Sequence, residues 1–254
     1  MHASSRRHAR EDPLPRRVSF LGQVPLFANL AEDDLATLAG DFRLREYDRD
    51  ETVFHQGDRS RELYVVMQGK VRIFKTSPGG EETSINIFSA GDVIGEFSAI
   101  DGQPRSATAK AIERCALLEM TRERFLSRLQ EMPELALGVA RLLVGKVRWT
   151  AAYAETVAQF DAAGRLLHIL LLYNEQFGEE IEPGKRYVLH LALNQSGLAS
   201  LVGARREWIN RILGTWRKRG LIEYEGGTIT ILDLPAVEKE RDSRIEAHHG
   251  EVTW

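Results

Sequence analysis

Gly203 to Leu213, G-A-R-R-E-W-I-N-R-I-L, is the stretch on which the reading of the C-terminal half turns. Side chains three and four positions apart share a helix face. Arg206, Glu207, Asn210 and Arg211 therefore fall together, while Ile209, Ile212, Leu213 and Trp216 point the other way into a core. Upstream, Gln195 to Val202 predicts a partner helix in which Ala199 is small enough for a close crossing. Gly203 supplies the positive φ that a tight turn between helices requires. The two segments read as a helix-turn-helix. Arginine suits the N7 and O6 acceptors of guanine and glutamate accepts from the cytosine amino group, so Arg206, Glu207 and Arg211 form a base-reading set. A solvated amphipathic helix with a Glu207 to Arg211 pair would share this pattern, and charge separates the two readings. From Lys185 to Gly220 there are eight basic residues against Glu207 alone, the electrostatic footprint of a surface that contacts phosphates. Arg205, Asn210 and Lys218 complete the expected DNA-contacting set.

Working outward, Leu221 to Leu232 places β-forming residues on both sides of Gly226-Gly227, a hairpin signal, and extends the module to a winged helix-turn-helix. Glu223 and Glu225 make this wing a poor electrostatic contact for a phosphate backbone. The chain has 254 residues, 43% of them hydrophobic, and a net charge of −3, enough for two domains. No apolar run approaches bilayer-spanning length, and the arginine-rich N-terminus lacks the apolar region of a signal peptide, so a cytoplasmic protein with no membrane partner is expected. The single cysteine, Cys115, excludes an internal disulfide and reads as core filler. Residues 1–17 and 235–254 are polar, the first basic and the second rich in acids, and are expected to be disordered tails.

Between Thr52 and Met120 the pattern is that of short strands divided by glycine turns, as in a sandwich or jelly-roll barrel, with the helical segment Ala31 to Leu38 before it. In one strand Val71, Ile73 and Phe74 are set against Lys70, Arg72 and Lys75 on a wet face. Gly91 to Ala107, G-D-V-I-G-E-F-S-A-I-D-G-Q-P-R-S-A, breaks the strand pattern. Glu96 to Ile100 predicts one helical turn whose free N–H groups suit an anion, and Arg105 can fold back with a fork matched to phosphate. Glu96, acceptor-only at neutral pH, suits a sugar hydroxyl. Together they describe a pocket for a phosphate attached to a ribose. An alternative is that Glu96 and Arg105 pair with each other in an empty barrel. Pro133 to Gln159 is the longest helical candidate. Leu137, Val144, Ala151 and Ala158 recur every seven residues with Ala140, Val147 and Ala154 between them, a seam suited to a second copy.

The Gly91 to Ala107 segment resembles the phosphate-binding cassette of cyclic-nucleotide-binding domains. With the winged helix, the chain from about Phe20 to Leu232 is similar to the cyclic AMP receptor protein and fumarate-nitrate regulator family of bacterial transcription factors. The resemblance implies an α+β protein. Its parts would be an N-terminal jelly-roll β-barrel over residues 18–132, a long dimerisation helix over 133–160 and a C-terminal winged helix-turn-helix over 161–234. It implies that Glu96 holds the ribose 2′-hydroxyl and Arg105 the cyclic phosphate, with Gly95, Phe97 and Ser106 completing the shell. Thr150 matches the family position that contacts the purine. The next position, usually a serine given by the partner subunit, is Ala151, which has no hydroxyl for that contact. The effector is expected to be cyclic AMP ahead of cyclic GMP. The implied partners are a second copy, RNA polymerase and double-stranded DNA carrying palindromic G-T-G-A-like half-sites about one helical turn apart. Arg205 stands where a serine N-cap is usual, and Trp208 where a small hydroxyl residue is common. Two other readings compete: a family member with no nucleotide or another effector, and a nucleotide-sensing regulatory subunit whose C-terminal half docks onto a protein. No paired carboxylates, metal-ligand cluster or nucleophile motif stands out, so neither an enzyme nor a metal protein is expected.

Overall fold

The computed structural model describes residues 13–245, which divide into two compact units within a long helix, between Val147 and Arg148. The first unit opens with two helices, α1 (Leu14–Leu21) and α2 (Glu32–Asp41). Eight strands follow: β1 (Arg43–Tyr47), β2 (Thr52–Phe54), β3 (Leu63–Gln68), β4 (Val71–Thr76), β5 (Glu82–Phe88), β6 (Val93–Ile94), β7 (Thr108–Ala111) and β8 (Cys115–Met120). The short helix α3 (Glu96–Asp101) interrupts them between β6 and β7. They form two antiparallel sheets of order β1-β8-β3-β6 and β2-β7-β4-β5, the facing layers of a jelly roll.

Strands β3 and β8 read as near-continuous apolar runs because both of their faces are covered. Tyr64, Val66, Cys115 and Leu117 point into the space between the sheets with Phe54, Val71 and Ala109. Leu63, Val65, Leu118 and Met120 point outward into a second core built from α1, α2 and two further helices, α4 (Arg122–Glu131) and α5 (Pro133–Gln159). A strand with one wet face would alternate instead. Burial pushes the Cys115 thiol up to about 11.

The second unit holds α6 (Ala162–Phe177), β9 (Glu179–Glu182), β10 (Arg186–His190), α7 (Gln195–Val202), α8 (Arg206–Lys218), β11 (Ile222–Glu225), β12 (Thr228–Ile231) and α9 (Leu234–Asp242). The helix pair α7 and α8 and the hairpin around Gly226-Gly227 fall where the sequence places them. The wing is wider than expected, however, because β10 pairs with β12 and β9 with β10, giving a sheet of order β11-β12-β10-β9.

Three expectations need correction. Arg72, assigned to the wet face of β4, is buried, because its guanidinium donates to Ser84 at 2.6 Å and Glu82 at 2.7 Å on β5 and lies 4.4 Å from the Phe74 ring. The N-terminal tail stops short of residue 17, since α1 begins at Leu14 and Arg17 caps carbonyls of Ala39 and Phe42. The acidic C-terminal segment is not a disordered tail over its first part: Asp233 caps α9 through the N–H of Ala236, and Val237 is fully buried. The rest of both expected tails, 1–12 and 246–254, lies outside the described residues.

Candidate functional site

The cassette begins where β6 ends. Gly95 adopts φ +81°, and a Cβ there would stand 2.7 Å from Nη1 of Arg105 and 2.8 Å from the carbonyl of Glu62. Only glycine meets both demands, the left-handed backbone and the close approach of a guanidinium. The chain then turns through α3 and returns through Gln103 and Pro104 to Arg105, whose backbone is clamped to a neighbouring loop. Arg105 N donates to Asp58 O at 2.9 Å, and Gly57 N donates to Arg105 O at 2.8 Å.

This clamp drives the Arg105 side chain inward until it is 1% exposed. Its Nε donates to Ser60 Oγ at 3.1 Å and Nη1 to the carbonyl of Gly95 at 2.9 Å. Nη2 donates to the carbonyl of Glu62 at 2.8 Å and reaches the Glu62 carboxylate at 3.4 Å. The guanidinium also lies 4.2 Å above the Phe54 ring. Burial pulls its pKa below the usual arginine value, against the raising effects of Tyr64, Glu62, Asp58 and Glu96. A buried cation in that condition is better compensated by a second anion.

Glu96, the first residue of α3, is buried and faces a different cation. Its Oε1 accepts from Nζ of Lys146 at 2.6 Å; the same ammonium donates to the carbonyl of Val93 at 2.9 Å and lies 4.8 Å from the Phe88 ring and 5.8 Å from the Phe97 ring. Glu96 and Arg105 thus do not pair with each other. Gly95, Glu96, Phe97 and Arg105 gather at one place; Phe97 is exposed there, and Ser106 is exposed beside Arg105. Thr150 lies exposed on the part of α5 that belongs to the second unit. Sequence reading missed Lys146, Ser60 and Glu62. Lys146 stands one helical turn before Thr150, which was a usable signal; Ser60 and Glu62 reach Arg105 from more than forty positions away and gave none.

In the second unit, Asn194 caps α7 by accepting from the N–H of Gly197 at 2.8 Å, and Gly203 turns the chain with φ +66°. Ile209, Leu213 and Trp216 are buried, whereas Arg206, Glu207, Asn210, Arg211 and Lys218 are exposed. Arg205 sits at the N-cap without a side-chain capping bond, and Trp208 is half-buried. Gln195 donates to Oδ1 of Asn210 at 3.4 Å across the two helices. The polar face is therefore free of core packing and carries the residue types that read guanine and cytosine.

Comparison with known proteins agrees in both units. A cyclic nucleotide-binding domain model matches residues 44–132 and a Crp-like helix-turn-helix domain model matches residues 164–240. The chain is 31% identical over 213 residues to the CRP-like cAMP-activated global transcriptional regulator of Mycobacterium tuberculosis, covering 84% of this chain and 94% of that one. It is 30% identical over 216 residues to the cyclic AMP receptor protein of Thermus thermophilus, covering 85% and 95%. Among solved structures, the c-di-GMP responsive global regulator CLP of Xanthomonas campestris shares the fold, with a TM-score of 0.68 and 23% identity over 80% of this chain and 99% of that one. Among the described residues no helix is long and apolar enough to cross a membrane. A jelly roll with a nucleotide cassette, a long helix and a Crp-like winged helix-turn-helix place the chain in the cyclic AMP receptor protein and fumarate-nitrate regulator family of DNA-binding transcription regulators.

Proposed function

We propose that this regulator acts in the cytoplasm as a homodimer on palindromic DNA and that its DNA affinity rises when a cyclic nucleotide, cyclic AMP ahead of cyclic GMP, enters the barrel. One observation carries the nucleotide reading: Arg105 and Glu96 are buried charges of opposite sign, a few residues apart in one cassette, that do not pair with each other. Arg105 would meet the cyclic phosphate with the fork now shared among Ser60, Gly95 and Glu62, and Glu96 would accept from the ribose hydroxyl. Thr150 would contact the purine. Arg206, Glu207 and Arg211 would read the bases, with Arg205, Asn210 and Lys218 beside them, and RNA polymerase would be the protein partner. The names of the relatives that are 30 and 31% identical support cyclic AMP; the c-di-GMP responsive neighbour has the same fold, so the fold leaves the effector open.

The test is a DNA titration with and without each nucleotide. Linkage requires DNA to tighten nucleotide binding by the factor by which nucleotide tightens DNA binding. Arg105→Ala is expected to abolish the response while the barrel stays folded, and wild-type nucleotide affinity in that variant would refute the cassette assignment. A second reading, a family member that works without a nucleotide, draws on the pairing of Glu96 with Lys146 and Arg105 with Glu62. Calorimetry with no heat from either nucleotide would select it. The C-terminal half belongs to a DNA-binding family, and the protein-docking alternative is dropped.

A further inference from the structure

Among the described residues of the second unit, Glu240 on α9 is the one charged side chain that is buried. Its oxygens are divided between two cations. Oε2 accepts from Nη2 of Arg219 at 2.7 Å, and Oε1 accepts from Nε and Nη2 of Arg244 at 2.9 and 2.7 Å. Arg219 is the C-cap of α8. Arg244 carries the path onward, donating from Nη1 to Oδ2 of Asp161 at 3.1 Å, while the other oxygen of Asp161 caps α6 by accepting from the N–H of Gly164.

The backbone follows the same route. Asp161 N donates to Arg244 O at 3.3 Å, and Phe160, next after α5, forms an isolated antiparallel bridge with Ile245. The approach is close: a Cβ on Gly164 would stand 2.9 Å from the Phe160 ring and 3.0 Å from Cβ of Arg244. The charges alternate along the path, two cations and two anions, so the buried carboxylate is compensated locally with charge-assisted bonds. Three partly exposed ion pairs would add little to stability by themselves. This path instead ties the end of the reading helix to the junction of α5 and α6 through a helix outside the helix-turn-helix.

We propose that Glu240 is a positioning residue that fixes the angle between the end of α5 and α8, and with it the half-site spacing a dimer accepts. The proposal rests on the two-fold, palindrome-reading function above. One added base pair moves a half-site by about 3.4 Å along the DNA axis and about 34° around it, a shift that a stiff junction rejects and a loose one accommodates.

The experiment measures affinity for operators whose half-sites are moved by one and two base pairs, and for a duplex with a single half-site. Two variants are compared with wild type: Glu240→Gln, which keeps the shape without the charge, and Asp161→Ser, which keeps a capping oxygen without the ion pair. Wild type is expected to lose about tenfold on a one-base-pair shift, and both variants to lose at least about threefold of that discrimination. Single-half-site affinity should stay unchanged, and the double variant should discriminate no worse than either single one, because both cut the same path. If Glu240→Gln fails to fold, Arg244→Lys, which keeps the charge but not the paired donors, should give an intermediate loss of discrimination. Wild-type discrimination in the variants, multiplying losses in the double variant, or a parallel fall in single-half-site affinity would each overturn the proposal alone. Wild-type indifference to spacing would overturn it together with the two-fold reading.

Discussion

Glu96 is held by a lysine that arrives from a helix fifty positions away. Its side chain is 5% exposed and that of Lys146 20%, so removing the ammonium leaves a carboxylate with neither water nor a cation. Lys146→Met is expected to destabilise the nucleotide-free protein by about 3 kcal/mol, the low end for breaking a buried pair because Lys146 keeps some solvent. Adding Glu96→Gln should restore part of the loss, and thermal unfolding of the two single variants and the double one decides it. At this scale the legible part of the site was its contiguous motif. Gly95, Glu96 and Arg105 could be grouped as one candidate site because they lie within eleven positions of one another, whereas Glu62, Ser60 and Lys146 join them only through the sheet pairing and the path of α5. Arg72 shows the same limit in the opposite sense: alternation places it in water, and two partners on the neighbouring strand that no sequence period records, Ser84 and Glu82, help to cover it.

Helices were easier to read than strands, since a period of 3.6 sustained over two or more turns has few competitors. The bounds of α5 agree with the periodic stretch, and α7 and α8 lie on either side of the turn at Gly203 that the sequence marks. β9 escaped notice because its sequence, E-E-I-E, is exposed throughout and is a strand only by virtue of its pairing with β10. The composition of α9 argued for a solvated tail, while two residues, the cap Asp233 and the buried Val237, outweighed it. For α8 the exposed face leads to a prediction that separates base contacts from phosphate contacts. Arg211→Ala should cost about 1 to 3 kcal/mol on the preferred site and relax the choice of base at one position. Lys218→Ala should weaken all sequences alike and reduce the salt dependence by about one phosphate contact. Selection from random DNA, repeated at two salt concentrations, distinguishes the two; unrelated half-sites from the wild type would refute the base-reading set.

For the whole molecule, the proposed dimer turns on the seam of α5. Leu137, Val144 and Val147 are exposed large apolar side chains, Val147 at 68%, in line with the exposed alanines at 140, 151, 154 and 158. Val147→Glu should yield a folded monomer in sedimentation that has lost its affinity for a palindrome, and a dimer of undiminished mass would show that the subunits meet elsewhere. Acid should also loosen the second unit. His168 stacks on Phe160 with Nδ1 buried, facing Arg241, Glu155, Glu175 and Asp242, and burial, then Arg241, hold its pKa below 6.5. The folded state therefore binds fewer protons than the unfolded one, and the stability present above 6.5 is lost as pH falls from there toward the folded value. Between about pH 7.5 and about pH 5.5 the melting temperature should drop more steeply for wild type than for His168→Gln. Finally, the protein's one sulfhydryl, Cys115, is buried between the sheets and stays protonated far above neutral pH. Toward maleimides and other thiol-directed dyes the native chain behaves as though it had no cysteine. A cysteine introduced at Lys218 or at an exposed barrel position would be the sole labelled site, and either unit could be followed by fluorescence without first removing Cys115.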